Sequence, residues 1–552
     1  MIDHSAVSER LNRLAPDQRA AATAPPGPTL CVAPAGSGKT TTLVARVAWL
    51  IAGGTPADAI VVVTFNRRAA EELEIRLTDA LAPLGVDAGV VRVATFHALG
   101  REILAEAGLP VANLVARDEI LRELFPDADR THRTRLDLAF SRLKLDHRVS
   151  ADEIEQDAEA GPVALSFVAY ERRLAELDAL DFDDLVARTL RLLQTDAPRL
   201  ARWRARCGEL LVDEAQDLDR SQLRLALLLA APANHIFLVG DDDQTIYGWR
   251  LADVRRVLAL ADDLPGLRRV DLTVNYRCPA AVVDRAVRLV EHNAERFAKQ
   301  IRAAPAARGS LVLAPDAADD VVRLERAVRT WPDDGSTRAI LARTNRELLP
   351  AVVIALRLGI PFRAPELPLL ILDERVDAIL AAARGATRRD GALPLLVALG
   401  RARADRDTTP AHASDETQTD GPTDDDVAAA LVAWAAAYST LDDFVEAIAE
   451  QRRLLTELRR DDAALTLATA HSTKGLEFDH VVVLADGFPA RRAVTEAVEP
   501  ERVLEEERRL AYVAWTRARR NLTLLYDPAA PSRFLQEAFS PAELRVDAEI
   551  AA

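Results

Sequence analysis

A strand, a glycine-rich turn and a helix follow one another near the N-terminus, and this succession limits the possible folds more than any other stretch. The segment Pro28–Ile51 begins as a short apolar run, continues as APAGSGKTT (Ala33–Thr41) and ends in an amphipathic helical pattern. Gly36 and Gly38 allow backbone N–H groups to turn inward, so that they can surround phosphate oxygens. The sequence therefore predicts an α/β fold with a phosphate-binding loop at the end of a buried strand.

Two side chains of this loop can act on a nucleotide. The ammonium group of Lys39 can reach the β- and γ-phosphates, and the hydroxyl of Thr40 can ligate Mg²⁺. The usual pattern begins with glycine, whereas Ala33 holds that place here. The alternative is an accidental glycine-rich turn, and the flanking strand and helix patterns argue against it. The loop residues expected to contact the nucleotide are Ala35, Gly36, Ser37, Gly38, Lys39, Thr40 and Thr41.

A second apolar run ends in two adjacent acids, in the stretch LLVDEAQD (Leu210–Asp217). Asp213 is expected to hold the Mg²⁺ shell, and Glu214 is expected to polarise the attacking water. The alternative is a helix N-terminus that carries acids because of its dipole. Beside a phosphate-binding loop, the acidic pair favours nucleotide hydrolysis.

Strand-like and helix-like runs alternate along most of the chain. The chain has 552 residues, which exceeds the roughly 250–300 residues that one hydrophobic core holds. Alternating strands and helices predict parallel sheets in more than one domain, with ligands at the carboxyl ends of the strands. The segments with strand patterns are Pro28–Ile51, Ala59–Leu77, Gly89–Leu104, Cys207–Leu218, His235–Gln244, Arg338–Leu348, Leu465–Asp486 and Asn521–Asp527.

Two long stretches show helical spacing without a strand pattern. They span about residues 102–183 and 379–457. Within the second, Ala402–Asp426 is polar, acidic and nearly free of large apolar residues. This composition predicts a flexible linker inside a helical insert.

Composition excludes some classes of protein. The formal net charge of −16 argues against a general nucleic-acid coat protein, although a narrow groove with local positive charge remains compatible with it. The three isolated cysteines suit a reducing cytoplasm and have no metal-binding spacing. No apolar run can span a bilayer, and the N-terminus lacks a signal-peptide core, so we expect a cytoplasmic protein without membrane partners.

Ten motifs, in order, make the chain similar to the superfamily 1 helicases of the UvrD/Rep/PcrA type. They extend from near residue 15 to near residue 526 and therefore cover almost the whole chain. The motifs lie at Ala15–Ala21, Ala33–Thr41, Val62–Leu73, Val93–Gly100, Leu180–Leu185, Val212–Asp217, Val239–Arg250, Val274–Pro279, Ala468–Val483 and Glu506–Arg519.

The resemblance implies two RecA-like P-loop motor domains, each a parallel sheet flanked by helices and each with a helical insert. The first motor domain is expected at residues 1–101 and 184–273, with its insert at 102–183. The second is expected at residues 274–378 and 458–552, with a short insert at 379–457. ATP is expected to bind between the two domains, with Mg²⁺.

Further ATP contacts are implied by the resemblance. Gln18 resembles the glutamine that reads the adenine edge, Tyr276 the tyrosine that stacks on adenine, and Glu477 the acid that contacts the ribose. Thr41 replaces an arginine that commonly stacks on the other face of the base, which predicts a looser nucleotide preference. The residues that resemble sensors of the γ-phosphate are Gln244, Arg277 and Arg517. For an isolated arginine, a salt bridge is the alternative.

The stretch VGDDDQTIYGWR (Val239–Arg250) joins these nucleotide contacts to large aromatic residues. Gln244 at one end can touch the γ-phosphate, while Tyr247 and Trp249 at the other can stack on a nucleobase. Stacking on single-stranded bases contributes roughly 1–3 kcal/mol per base and tolerates any sequence. For each of these aromatic residues, the alternative role is packing in the core. For Phe96 the two roles are equally supported, whereas the polar loop around Trp249 favours the DNA contact. The DNA contacts implied by the resemblance are Phe65, Thr95, Phe96, His97, Tyr247, Trp249, Arg250, His471 and Thr473.

The resemblance implies an ATP hydrolase, a DNA helicase or translocase that moves 3′-to-5′ along single-stranded DNA in repair or genome maintenance. Its expected partners are single-stranded DNA, duplex/single-strand junctions and a repair or nuclease protein. The short second insert leaves an alternative open, namely a DNA-dependent ATPase subunit that unwinds little without a partner. No spacing around His97 or His471 supports a metal other than Mg²⁺.

Overall fold

The computed structural model describes residues 4–147, 149–157, 159–332, 334–390, 397, 399, 427, 431–432, 434–435, 438–495, 497–545 and 548–551. The predicted linker at Ala402–Asp426 lies outside these residues. The chain forms two compact units, which are Met1–Ala307 with Glu499–Tyr512 and Arg308–Val498 with Val513–Ala552. The first unit thus extends beyond residue 273, the end predicted for the first motor domain.

Backbone contacts explain why the first unit continues to Ala307. A two-stranded parallel sheet forms between Val274–Asn275 and Arg302–Ala303. The amide of Tyr276 donates to the carbonyl of Gly36 over 2.8 Å. These bonds tie the segment after residue 273 to the phosphate-binding loop.

The first unit contains a six-stranded parallel sheet. Its strands are β1 (Thr29–Val32), β2 (Ile60–Thr64), β3 (Arg92–Thr95), β4 (Glu209–Val212), β5 (Ile236–Gly240) and β6 (Arg268–Asp271). They are ordered β3-β2-β4-β5-β1-β6, and every neighbouring pair is parallel. All carboxyl ends therefore lie along one edge of the sheet.

The second unit contains a seven-stranded sheet. The two strands of the small sheet described above are β7 (Val274–Asn275) and β8 (Arg302–Ala303). The strands of the seven-stranded sheet are β9 (Ser310–Pro315), β10 (Arg338–Ala342), β11 (Phe362–Arg363), β12 (Leu465–Thr469), β13 (Phe478–Leu484), β14 (Ala518–Tyr526) and β15 (Ala548–Ala551). Their order is β11-β12-β10-β13-β14-β9-β15, and only the pair of β15 with β9 is antiparallel. The predicted α/β class with parallel sheets is confirmed.

Helices flank both sheets. Those of the first unit span His4–Asn12, Pro16–Ala22, Lys39–Ala52, Arg67–Leu81, Phe96–Glu106, Arg117–Leu124, Arg130–Ser141, Ala151–Glu155, Pro162–Glu176, Asp184–Thr195, Ala197–Arg206, Arg220–Ala230, Val254–Leu258, Leu260–Asp263 and Ala280–Val290. Those of the second unit span Asp320–Arg329, Leu349–Leu358, Glu374–Asp390, Leu441–Leu458, Arg491–Thr495 and Arg533–Ala538. A further helix spans Pro500–Trp515, and its residues up to Tyr512 belong to the first unit.

The strand β2 shows why the first sheet is buried on both faces. Val61 and Val63 belong to one hydrophobic core, and Ile60 and Val62 belong to the core on the opposite face. Successive side chains of a strand point to opposite faces, so a continuous apolar run such as IVVVT suits a sheet covered by helices on both sides. None of the helices within the described ranges is both long enough and apolar enough to cross a membrane.

The helical segment before residue 184 has its own core, which includes Phe140, Phe167 and Tyr170. Beside it, the buried carboxylate of Asp181 accepts hydrogen bonds from Lys144 Nζ at 2.9 Å and Tyr170 Oη at 2.8 Å. Burial alone would raise the pKa of Asp181, but Lys144 and a nearby arginine hold it well below its usual range. This paired network fixes the stretch LDFDDL.

Candidate functional site

The carboxyl edge of the first sheet gathers the predicted nucleotide contacts. Strand β1 leads into the phosphate-binding loop, β4 into Asp213, and the adjacent β5 into the acidic stretch that ends at Gln244. The end of β1 pairs with β5 at Val32 and Gly240. Parallel sheets bind ligands at this edge, so the strand order brings together groups that are far apart in the sequence.

The phosphate-binding loop has little room for larger residues. Gly36 and Gly38 have φ angles of +67° and +86°, which disfavour any other residue type. A Cβ on Gly36 would lie 2.7 Å from that of Arg277, and one on Gly38 would lie 2.6 Å from Gln18 Nε2. Two predicted nucleotide contacts, Gln18 and Arg277, therefore pack directly against the loop.

The loop opens into the helix Lys39–Ala52, whose first N–H groups and dipole favour an anion. Lys39 Nζ donates to the carbonyl of Ala33 over 3.1 Å, which holds the ammonium group across the loop. The hydroxyl of Ser37 is buried and has no hydrogen-bond partner within the described part of the chain. A buried hydroxyl without a partner is costly, so it suits a loop that takes a phosphate oxygen.

Two further predicted adenine contacts lie at the same loop. Gln18 Nε2 donates to the carbonyl of Ser37 over 2.8 Å. Tyr276, whose amide bonds to Gly36, leaves 51% of its side chain exposed. Asn275 Oδ1 accepts the amide of Arg277 over 2.8 Å and fixes the turn. The first unit thus brings Gln18, the loop, Tyr276 and Arg277 together.

The acidic stretch after β5 is fully buried, and two cations that the sequence does not predict there pair with its three carboxylates. Lys299 Nζ lies 3.2 Å from Asp241 and 2.9 Å from Asp243, and it also pairs with Asp242. Arg296 holds both carboxylate oxygens of Asp243, at 3.0 and 2.9 Å. Burial raises the pKa of Asp243, but the two cations lower it to about 2, whereas burial keeps the pKa of Asp242 above its usual value.

Aromatic side chains line the loop that follows. The rings of Phe65 and Tyr247 stack with centroids 5.1 Å apart, and Tyr247 meets Trp249 edge-on at 6.1 Å. The guanidinium of Arg250 lies 4.6 Å from the ring centroid of Trp249. Trp249 is 53% exposed, so part of its side chain is accessible to a planar ligand. Four of the predicted DNA contacts therefore form one continuous surface.

A second aromatic pair follows β3. His97 stacks on Phe182 with centroids 3.9 Å apart, and Phe182 is 60% exposed. The pKa of His97 is lowered to about 4, chiefly by burial, with Asp183 opposing the shift and Arg250 adding to it. The side chain of Phe96 lies in the core, which agrees with the alternative of core packing. The hydroxyl of Thr95 caps the helix Phe96–Glu106 by accepting the amide of Ala98. The sequence alone predicts no role for Phe182, although Phe182 lies within LDFDDL, one of the ten motifs.

The aromatic loop is also tied to a distant helix. Gly248 donates its amide to Glu506 Oε1 over 2.9 Å, and a Cβ on Gly248 would lie 2.4 Å from Glu506 Oε2. Glu506 lies in the helix Pro500–Trp515, in the part that belongs to the first unit. Nothing in the loop sequence itself reveals this partner.

The remaining predicted residues belong to the second unit. His471 and Thr473 form a single helical turn after β12, and the Thr473 hydroxyl is buried and donates to Ala470. Burial lowers the pKa of His471 to about 3, with a contribution from Arg343.

Two of the nucleotide contacts predicted in this unit already have protein partners. Glu477 pairs with Arg519 at the surface. The buried guanidinium of Arg517 donates to the carbonyls of Val513 and Leu476, at 2.8 and 3.1 Å. Their roles at ATP stay predictions.

These features define a P-loop nucleotide-binding protein with two parallel α/β sheets, of which the first carries an open aromatic surface beside the nucleotide loop. The chain belongs to the UvrD/Rep helicase family: residues 14–265 match the UvrD/REP helicase N-terminal domain, and residues 410–528 match the UvrD-like helicase C-terminal domain. The parallel sheets of its two units correspond to the two RecA-like motor domains of that family.

Relatives agree with this assignment. The chain is 27% identical over 642 residues to DNA helicase II of Escherichia coli, covering 96% of this chain and 88% of that protein. It is 30% identical over 342 residues to the ATP-dependent DNA helicase PcrA of Staphylococcus epidermidis, covering 58% of this chain and 46% of the relative. PcrA of Staphylococcus aureus is 30% identical over 305 residues, with 52% and 41% covered. The chain thus matches slightly less than half of the length of these PcrA proteins.

Proposed function

We propose that this protein is an ATP-dependent DNA helicase that moves along single-stranded DNA. The observation that supports this most strongly is the loop after β5, which connects Gln244 at the nucleotide edge to the exposed ring of Trp249 five residues later. A change at the nucleotide therefore reaches a nucleobase contact through a few backbone bonds. The names of the relatives, ATP-dependent DNA helicase and DNA helicase II, support the same function.

The residues of the first unit suit ATP with Mg²⁺. Lys39 would hold the β- and γ-phosphates, while Thr40 and Asp213 would hold Mg²⁺, whose preferred ligands are oxygen atoms. The bound ion would neutralise charge on the transferred phosphoryl group. Glu214 would orient the attacking water, and Arg277 would stabilise the negative charge that develops.

The aromatic surface suits single-stranded DNA of any sequence. Trp249 and Phe182 present open rings, and every base has a face that can stack on them. Arg250, which lies over Trp249, adds a positive charge close to the path of a phosphate backbone. This local charge explains how a chain with a net charge of −16 can bind DNA.

The second unit is proposed to contribute the remaining contacts. Glu477 and Arg517 are assigned to ATP, and His471 and Thr473 to DNA, because their motifs resemble those of the family. We further propose movement in the 3′-to-5′ direction and a role in DNA repair, on the same resemblance. The cytoplasm is the proposed compartment, because the chain's few, isolated cysteines suit reducing conditions.

Displacement of streptavidin from biotinylated single-stranded DNA tests both movement and direction. We expect ATP-dependent displacement from the 5′ end and little from the 3′ end. Lys39→Ala should abolish it, and Ile75→Ala, at an exposed apolar residue of the same unit, should not. Equal displacement from both ends contradicts the direction, and no ATP-dependent displacement from either end contradicts the translocase itself. Strand displacement on a tailed duplex then tests whether the chain also unwinds DNA.

A further inference from the structure

We propose that Gln216 is a positioning residue that holds the proposed catalytic residues Glu214 and Gln244 in register through the acid Asp241. This inference rests on the proposed ATP hydrolysis. Gln216 is 1% exposed and lies between β4 and β5, two adjacent strands of the first sheet. The sequence alone predicts no role for it.

The amide of Gln216 bridges the two strand ends. Its Nε2 donates to Glu214 Oε2 over 2.6 Å, and its Oε1 accepts the backbone N–H of Asp241 over 2.9 Å. A backbone N–H can only donate, so the oxygen of the amide must face Asp241 and the NH₂ group must face Glu214. The orientation of the side chain is thus determined by the backbone of β5.

The connection continues from Asp241 to Gln244. Gln244 Nε2 donates to Asp241 Oδ2 over 2.5 Å. The other oxygen, Asp241 Oδ1, accepts the amide of Asp243 over 3.2 Å and lies 3.2 Å from Lys299 Nζ. A chain of hydrogen bonds therefore runs from Glu214 through Gln216 and Asp241 to Gln244.

Two features of the backbone around Gln216 are consistent with this chain of hydrogen bonds. Glu214 has φ +50° and ψ 45°, a left-handed conformation that non-glycine residues seldom adopt and that clusters at functional sites. Gly240 leaves the space for the amide, because a Cβ there would lie 2.5 Å from Gln216 Oε1. A side chain at residue 240 would push Gln216 away without altering either proposed catalytic residue.

Substitutions can test the two hydrogen bonds of the Gln216 amide separately. Gln216→Met keeps the length of the side chain and removes both hydrogen bonds. Gln216→Glu keeps the acceptor for Asp241 but replaces the donor to Glu214 with a second carboxylate. Gly240→Ala displaces the amide from outside. Gln222→Met is the matched control, since Gln222 is also a buried glutamine of this unit, and its Oε1 accepts the backbone N–H of Asp219, which caps the helix Arg220–Ala230.

The test measures ATP hydrolysis with Mg²⁺ and oligothymidylate, the affinity for a fluorescent ATP analogue, and the melting temperature. For Gln216→Met, Gln216→Glu and Gly240→Ala, we expect kcat to fall about 10- to 100-fold, which is less than the roughly 100- to 10,000-fold that a general acid or base contributes. The affinity for the analogue should change less than about threefold. Gln222→Met should lower the melting temperature as much as Gln216→Met but keep kcat within about twofold.

The inference is overturned if Gln216→Met keeps the wild-type kcat, or if its kcat and its affinity for the analogue fall together with the melting temperature. A failure of the proposed function would look different. In that case the wild-type protein itself would show no ATP hydrolysis, or none that Lys39→Ala abolishes. That result would overturn the inference as well.

Discussion

The backbone N–H of Gly248 donates a hydrogen bond of 2.9 Å to the carboxylate of Glu506, a residue 258 positions later in the sequence. Glu506 thereby anchors the loop that presents Tyr247 and Trp249. A loop held in place loses less conformational entropy when it binds a ligand. The hydrogen bond would therefore favour the nucleobase contact proposed for this aromatic surface.

Removal of this anchor should weaken DNA binding. Hydrogen bonds to charged groups contribute about 1.5–3 kcal/mol, so Glu506→Ala should raise the Kd for oligothymidylate roughly tenfold or more. Glu506→Gln keeps an acceptor and should lose less. Fluorescence anisotropy measures these affinities, with Glu501→Ala, at an exposed residue of the same helix, as the control. Wild-type affinity in Glu506→Ala contradicts the proposed anchor.

The cation Lys299 should contribute strongly to the stability of the fold. Its removal leaves three buried carboxylates, of which Arg296 pairs with Asp243. Breaking a buried ion pair typically costs about 3–5 kcal/mol, so we expect Lys299→Met to lower the free energy of unfolding by that amount in urea titrations. Addition of Asp242→Asn should restore part of the loss. As a control, Arg76→Met breaks an exposed ion pair with Glu72 and should change the free energy of unfolding by less than about 1 kcal/mol. An equally small effect of Lys299→Met would contradict the prediction.

The exposed ring of Phe182 should contribute to DNA binding. Base stacking on an aromatic side chain contributes about 1–3 kcal/mol, so Phe182→Ala should raise the Kd for oligothymidylate about 5- to 150-fold. Phe182→Tyr retains a ring and should bind nearly as well as the wild type. The melting temperature serves as a check on folding, because the ring is largely outside the core. Unchanged affinity of the alanine variant would exclude Phe182 from the DNA surface.

His97 should make stability depend on pH in a defined window. Its pKa in the folded protein is about 4, below the usual 6.5, so between these values the unfolded chain binds a proton that the folded chain does not. The contribution is complete above pH 6.5 and is lost as the pH falls towards 4, at up to about 1.4 kcal/mol per pH unit. We expect the unfolding free energy of His97→Gln to fall less steeply over this range than that of the wild type. Parallel curves for the two proteins would refute the shift.

The motifs at strand ends were predictable because their chemistry is local. A glycine-rich turn between a strand and a helix and acids after an apolar run each report their role within a few residues. The parallel sheets follow from the same alternation, and the strand order then brings Lys39, Asp213 and Gln244 to one edge. This part of the site required no knowledge of distant contacts.

The supporting residues could not be read from the sequence. Lys299 and Glu506 act on the loop after β5 from about 58 and 258 residues away in the sequence, and the charged segments around them resemble many others on a protein surface. For Phe96 the sequence pattern predicts too much: its motif resembles a DNA contact, but its side chain lies in the core. In both cases only the packing of distant segments decides whether a side chain is buried or accessible.

The central claim is that a single loop links a nucleotide site to a single-stranded DNA surface, and the rate of ATP hydrolysis with and without oligothymidylate tests it most directly. We predict that DNA raises kcat at least about tenfold, that Lys39→Ala abolishes hydrolysis in both conditions, and that Trp249→Ala retains the basal rate but loses most of the stimulation. A wild-type protein that hydrolyses ATP at the same rate with and without DNA, or a Trp249→Ala variant with full stimulation, would contradict the claim.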